Sequence, residues 1–192
     1  VGYFQSPKYF DKYKETICKL LKIDLKKSIV KNKVKISFDN VYTISMHFRF
    51  GDYKKYQHIY PLLDYNYYNN SLSIILDEIS SYRIQKQIVV LYFCEDESLY
   101  EVEEIISKLK QCNYKTLSFI RAETNLADWE QMLLMSLCEH NIIANSTFSW
   151  WGAYLNEHSE KMVCYPEMWF MPKTNKDTTD LFLEDWIKIS ND

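Results

Sequence analysis

Apolar residues recur along this chain in two rhythms, helical spacing and short β-prone runs, and the two take turns. Phe10, Tyr13, Ile17, Leu20 and Leu21 fall at helical spacing behind Ser6-Pro7, a hydroxyl and a proline suited to open a helix. A Lys-rich polar connection from Lys26 to Asp39 leads to a first expected strand over 41–48. Asp64 is placed to cap a helix whose apolar positions include Tyr68, Leu72, Ile75, Leu76 and Ile79. The continuous β-branched and aromatic run at 88–93 predicts a strand buried on both faces. A helix over 97–109 follows, carried by Leu99, Val102, Ile105, Ile106 and Leu109, and then a short strand at 117–120. The remainder predicts a helix at 128–138, a strand at 141–144, an aromatic-rich helix at 147–155, a strand at 162–165 closed by Pro166, and a terminal helix at 181–189.

Strands and helices alternating at this spacing imply βαβ units, hence a parallel sheet. The expectation is an α/β, Rossmann-like sheet of about five strands with helices on both faces, in a single domain over residues 1–192 with residues 1–40 as a helical lead-in. In such a sheet ligands bind outside the carboxyl ends of the strands.

The residues just after each strand therefore carry the candidate chemistry. The first strand runs into His47-Phe48-Arg49-Phe50-Gly51-Asp52, an imidazole, a guanidinium and a carboxylate at one rim. Arginine offers a planar fork for the paired oxygens of a phosphate, and Gly51 lets backbone approach closely. A strand end with a surface Arg–Asp pair would look the same, so this segment alone does not decide. The second strand is followed by Glu95-Asp96-Glu97, which reads equally as a solvated helix start or as a ribose or guanine contact; the third by Arg121 and Glu123, which read as a local ion pair. After the fourth come Asn145-Ser146-Thr147-Phe148-Ser149, where Asn145 or Ser146 caps a helix whose free N–H groups form an anion site. Trp150 and Trp151 read as packing, Gly152 as a close helix–helix approach, His140 and His158 as surface residues, and Asp177–Asp180 as a turn.

Composition narrows the classes. A 47% apolar, 26% charged chain of 192 residues is ample for a globular core. A net charge of −3 without a basic stripe argues against nucleic acid or an anionic membrane as partner. No apolar run has the length of a membrane span, and no signal-peptide pattern opens the sequence. Five scattered cysteines without a C-x-x-C pair predict free thiols in a reducing, cytoplasmic compartment rather than zinc or disulfides. Nothing in the sequence reads out an oligomeric state.

Two segments then carry a resemblance. HFRFGDY at His47–Tyr53 and LLMSLCEHNIIANSTFSWWGAYLN at Leu133–Asn156 closely resemble the inverting α-1,2-fucosyltransferases of glycosyltransferase family 11. Gly2–Ser6 and Met168-Trp169-Phe170 resemble further landmarks of that family in the right order, so the resemblance covers essentially the whole chain. It implies the donor-binding, carboxyl-terminal half of an enzyme with two facing Rossmann-like domains. It implies transfer of fucose from GDP-β-L-fucose to a glycan hydroxyl, with a nucleotide sugar and a glycan acceptor as partners.

By that resemblance Arg49 binds the donor's β-phosphate, with His47 beside it and Asp52 as general base or as an orienter of Arg49. Asp96 matches an acidic position after the second strand, and Thr147-Phe148-Ser149, with Asn145 and Ser146, matches the segment that cradles phosphate and guanine. Three features depart from the family pattern. Phe50 stands where a second Arg is common, and Gln131 stands where an acidic residue is common, with Asp128 and Glu130 close by. The Gly-rich opening of the family's first domain does not occur in these residues. No Asp-x-Asp occurs, so metal-independent transfer without a cofactor is expected. A degenerate domain that binds a GDP-sugar without transferring it is the second reading.

Overall fold

A computed structural model describes residues 6–81, 86–111 and 117–190. The lead-in begins with two 3-10 turns, Pro7–Tyr9 and Asp11–Tyr13, followed by helix α1 (Lys14–Leu21) and α2 (Ile23–Lys33). Strands β1 (Val41–His47), β2 (Gln87–Phe93) and β3 (Leu117–Arg121) are linked by α3 (Tyr65–Ser81) and α4 (Leu99–Gln111). Then α5 (Asp128–Met135), β4 (His140–Ile142), α6 (Thr147–Tyr154), β5 (Val163–Pro166) and β6 (Ile187–Ile189) complete the chain.

All strand pairs are parallel, in the order β3-β2-β1-β4-β5-β6. The chain builds outward from β1 to β3, crosses back, and builds the other way from β4. The loops after β1 and β4 therefore leave the sheet toward opposite faces, which opens a crevice at this switch point.

Alternation along β2 divides the core. Val90 and Tyr92 face α3 and α4, packed with Ile44, Met46, Leu72, Ile75, Val102 and Ile106. Leu91 and Phe93 face α5 and α6, with Leu133, Leu134, Trp150 and Tyr154. β1 sends Ile44 and Met46 to the first face, but Thr43, Ser45 and His47, all buried, to the second. Around Thr43 and Ser45 those polar groups are matched rather than stranded. Asn141 donates to Ser45 Oγ at 2.6 Å, Asn156 donates to Asn141 Oδ1 at 2.7 Å, and Glu139 accepts from the Thr43 N–H at 2.7 Å. Gly152 is where α6 crosses α5; a Cβ there would lie 2.9 Å from Met135 Cβ, so the helices approach as closely as backbone permits.

Four sequence expectations change. The connection expected from Lys26 to Asp39 is largely helix α2, because Ile23, Lys27 and Val30 recur on one buried face. Lys27 belongs to that face because its ammonium reaches the Leu155 carbonyl at 2.7 Å and Glu157 at 2.8 Å, which turns a polar residue into a packing one. The expected helix start at Ser6-Pro7 is a 3-10 turn without a side-chain cap, and the α-helix begins at Lys14. The expected terminal helix is a loop ending in β6, since Phe182 stacks on Tyr165 at 3.7 Å, Trp186 packs on Trp150, and Ile187 and Ile189 alternate beside β5. His140 is buried, not on the surface: it accepts from the Met162 N–H at 2.9 Å and pairs with the Tyr42 hydroxyl at 2.8 Å. The landmark at 2–5, and Cys112, lie outside the described residues.

Candidate donor site at the switch point

A cleft of about 870 Å³ opens above the carboxyl ends of β1, β2, β3 and β4. Arg49 lines it. The Phe48 N–H still bonds the Phe93 carbonyl at 2.9 Å, so the strand geometry carries one residue past β1 and aims Arg49 across the β2 loop. Its guanidinium bonds Glu95 Oε1 through Nη1, donates to Asp52 Oδ1 at 2.8 Å through Nη2, and lies 5.2 Å from the Tyr53 ring centre. Two carboxylates and an aromatic face thus fix one arginine. Gly51 makes room for this arrangement, since a Cβ there would meet the carboxylates of Glu95 and Glu97 at 3.1 Å, and its N–H donates to Ser98 Oγ at 3.1 Å.

His47 lies beneath Arg49 and is only 6% exposed. Burial, and secondarily the neighbouring Arg49 charge, push its pKa down to about 3, so it is a neutral imidazole at physiological pH. Its Nδ1 is buried without a hydrogen-bond partner among the described residues, and so are Glu95 Oε2 and Asn145 Oδ1. All three residues line the cleft. Buried polar atoms are nearly always paired, so three unpaired ones on residues that line one crevice single out its walls.

The fourth loop supplies the opposite wall. Ser146 caps α6 by accepting from the Phe148 N–H at 3.4 Å, and Thr147 and Phe148 line the cleft, Phe148 lying 5.5 Å from the His47 ring. Asn145 is a structural tie as well as a lining residue. Its side-chain amide N–H groups donate to the carbonyls of Pro61 at 3.0 Å and Trp169 at 3.2 Å, while its main-chain carbonyl accepts from the Tyr53 hydroxyl at 3.0 Å. Ser149 departs from its expected place: it is buried, and its hydroxyl donates inward to the Ala144 and Ser146 carbonyls at 3.3 and 3.4 Å.

Among the acidic candidates, Asp96 lines the cleft but ion-pairs with Arg121, correcting the expected Arg121–Glu123 pair; Glu123 instead accepts from the Lys35 N–H at 2.9 Å. Asp128 and Gln131 line the cleft at the start of α5. Glu130 points away, held by the Ala127 N–H at 2.9 Å and by Lys33. Residues that sequence reasoning passed over include Glu95 as the partner of Arg49, the stacked pair Tyr53–Tyr60 with centres 4.2 Å apart, Phe170 and Lys176. The signal for Glu95 was present in the Glu95-Asp96-Glu97 run, but sequence does not say which of three consecutive acids turns inward. Tyr60 and Lys176 come from loops far apart in sequence and carried no signal, whereas Phe170 was marked only within the Met168-Trp169-Phe170 landmark, with no role in the site.

Two Escherichia coli proteins are similar along almost all of this chain. The O-antigen biosynthesis glycosyltransferase WbnK is 31% identical over 195 residues, which cover 98% of this chain and 59% of WbnK. An alpha-1,2-colitosyltransferase is 26% identical over 197 residues, covering 98% of this chain and 61% of that protein. The chain thus spans about three-fifths of the length of these curated relatives. The sequence model described as glycosyl transferase family 11 matches residues 1–190. A parallel sheet with its cleft at the switch point, a match from end to end and a relative above 30% identity together establish that this chain belongs to glycosyl transferase family 11.

Proposed function

We propose that the cleft binds the nucleoside diphosphate of GDP-fucose, or of a closely related GDP-sugar, and that the chain is the donor-binding part of an inverting α-1,2-glycosyltransferase. The observation that carries this reading is Arg49, held between Asp52 and Glu95 next to a neutral His47, in the cleft at the switch point. Family membership supports the reaction class, and the resemblance of HFRFGDY and ANSTFSWWGA to fucosyltransferases supports the donor. One relative's name specifies colitose, so the experiment that tests the donor compares the two sugars.

In the proposed reaction the acceptor hydroxyl attacks the anomeric carbon, and the bond from that carbon to the diphosphate oxygen breaks with its electron pair. Negative charge then grows on the leaving diphosphate, where a preorganised guanidinium stabilises the transition state more than the ground state. Arg49 supplies that group, and the free N–H groups at the start of α6 add to it. His47, being neutral, adds a hydrogen bond rather than a charge. The proton of the acceptor passes to a general base, for which Asp52 is proposed: one oxygen is held by Arg49, and 55% of its side chain is exposed. The transfer is proposed to need no metal, and it should then survive EDTA undiminished; loss of activity restored by a divalent cation would refute that part.

The direct test is transfer by the intact protein to a galactoside acceptor from GDP-fucose and from GDP-colitose, with the product's linkage read by NMR. An α-1,2-linked fucoside supports the proposal. Transfer from GDP-colitose alone would move the donor assignment, and GDP binding without transfer would favour a binding domain.

A further inference from the structure

The cations of the cleft are not equally available. Arg49 is ion-paired to both Asp52 and Glu95, and Arg121 is ion-paired to Asp96. With Asp128 also on the wall, three arginine and lysine charges face four carboxylates. A cleft of that balance is a poor host for a diphosphate unless some cation is not already neutralised. Phe50, at the position where a second arginine would follow the first, is only 6% exposed and packs in the core with its ring 6.2 Å from that of Phe48, so it offers nothing to the cleft.

Lys176 is the remaining cation. Among the described residues its ammonium forms no ion pair; it lies 4.3 Å from the Phe170 ring centre and 5.5 Å from that of Tyr60. Tyr60 stacks on Tyr53, whose other neighbour is the Arg49 guanidinium. Arg49 and Lys176 therefore flank one two-ring stack on the cleft wall. Lys176 directly follows Asn175, which closes the 3-10 turn Pro172–Thr174 in the left-handed conformation, φ 49°. That conformation is uncommon outside glycine, and asparagine is among the residues that tolerate it best.

We propose that Lys176 is the second cation of the donor site: it leaves the faces of Phe170 and Tyr60 to contact the diphosphate, in place of the arginine that Phe50 lacks. The proposal rests on the nucleotide-sugar reading above and specifies which group completes its charge. An ammonium on aromatic faces is held only weakly where water reaches it, so a phosphate oxygen competes well for it, whereas Arg49 would have to leave two carboxylates.

Titration calorimetry of GDP, with guanosine measured by competition, tests this on the intact wild-type protein and on Lys176→Met and Lys176→Arg. Methionine keeps the apolar stem over the rings and removes the charge. Lys176→Met should weaken GDP by about tenfold and reduce the salt dependence of its binding, while guanosine affinity stays within twofold and the melting temperature is unchanged. Lys176→Arg should restore most of the loss. GDP affinity unchanged in Lys176→Met would overturn the proposal while leaving the donor site standing. Equal losses for GDP and guanosine would also overturn it, by showing that Lys176 organises the aromatic wall instead. A wild-type protein that binds no GDP would remove the nucleotide-sugar reading and this proposal with it.

Discussion

Arg49 shows how a residue becomes a site through its neighbours. Its two carboxylate partners keep the guanidinium oriented in the cleft, and a diphosphate would replace part of that pairing with oxygens of higher charge. Arg49→Ala should weaken GDP binding by about 10- to 150-fold, the range for a lost charged hydrogen bond, with the fold intact by circular dichroism. Arg49→Lys should rescue poorly, because a point charge cannot bridge two oxygens as a fork does. Asp52→Asn separates that residue's two possible duties. If Asp52 is the base, kcat falls roughly 10²- to 10⁴-fold with GDP affinity nearly unchanged; a parallel loss of both would mean that it only holds Arg49. Phe50→Arg has a different outcome. Phe50 is buried beside Phe48, so an arginine there places an unpaired charge in the core and should lower the melting temperature without tightening the donor. At this scale the sequence was informative where a residue type has few uses, as with Arg49 or Gly152. It was silent where three acids in a row differ only in which one turns inward, as with Glu95 and Asp96.

At the scale of elements, the close crossing of α5 and α6 positions the fourth loop against the first. Gly152→Ala tests it. The added methyl would lie 2.9 Å from Met135 Cβ and 3.2 Å from the Met132 carbonyl, an overpacking cost of about 1–3 kcal/mol against a helix-propensity gain of up to about 1 kcal/mol. The melting temperature should drop by a few degrees, about 2–4 °C per kcal/mol for a domain of this size; an unchanged or higher value would show that the helices separate freely. Period was enough to find the central strands and the helices between them, because their apolar faces are continuous. It failed for α2 and β6. In α2 a buried lysine interrupts the apolar stripe, its charge satisfied by Leu155 and Glu157 from a distant segment. In β6 the strand is three residues long, and its identity comes from pairing with β5.

The whole molecule has an uncharged imidazole under its site and another in the sheet, and both make its stability depend on pH. Burial lowers the pKa of His47 to about 3 and of His140 to about 4. Protonating His140 would also displace the Met162 N–H from Nδ1. An unfolded chain takes up protons at these residues near pH 6.5, whereas the folded one resists. Stability from this source is therefore complete above about pH 6.5 and lost as pH falls toward 4, by up to roughly 3 kcal/mol for each imidazole. Urea unfolding midpoints measured from pH 7 to 4 should fall over that window, and a flat profile would mean that these rings are not held neutral. The topology of the whole, with its switch point between β1 and β4, was legible as a class from the alternation of elements. The convergence of loops distant in sequence, which brings Tyr60, Phe170 and Lys176 to the cleft, was not. The most direct test of the central claim is therefore thermal unfolding of the intact protein with GDP, UDP and ADP at concentrations about 100-fold above the dissociation constant for GDP. GDP alone should stabilise, by roughly 2.7 kcal/mol, and in Arg49→Ala the effect should shrink to between about 0.3 and about 1.4 kcal/mol; equal shifts with all three nucleotides, or none with GDP, would contradict the assignment of this cleft to a guanosine diphosphate sugar.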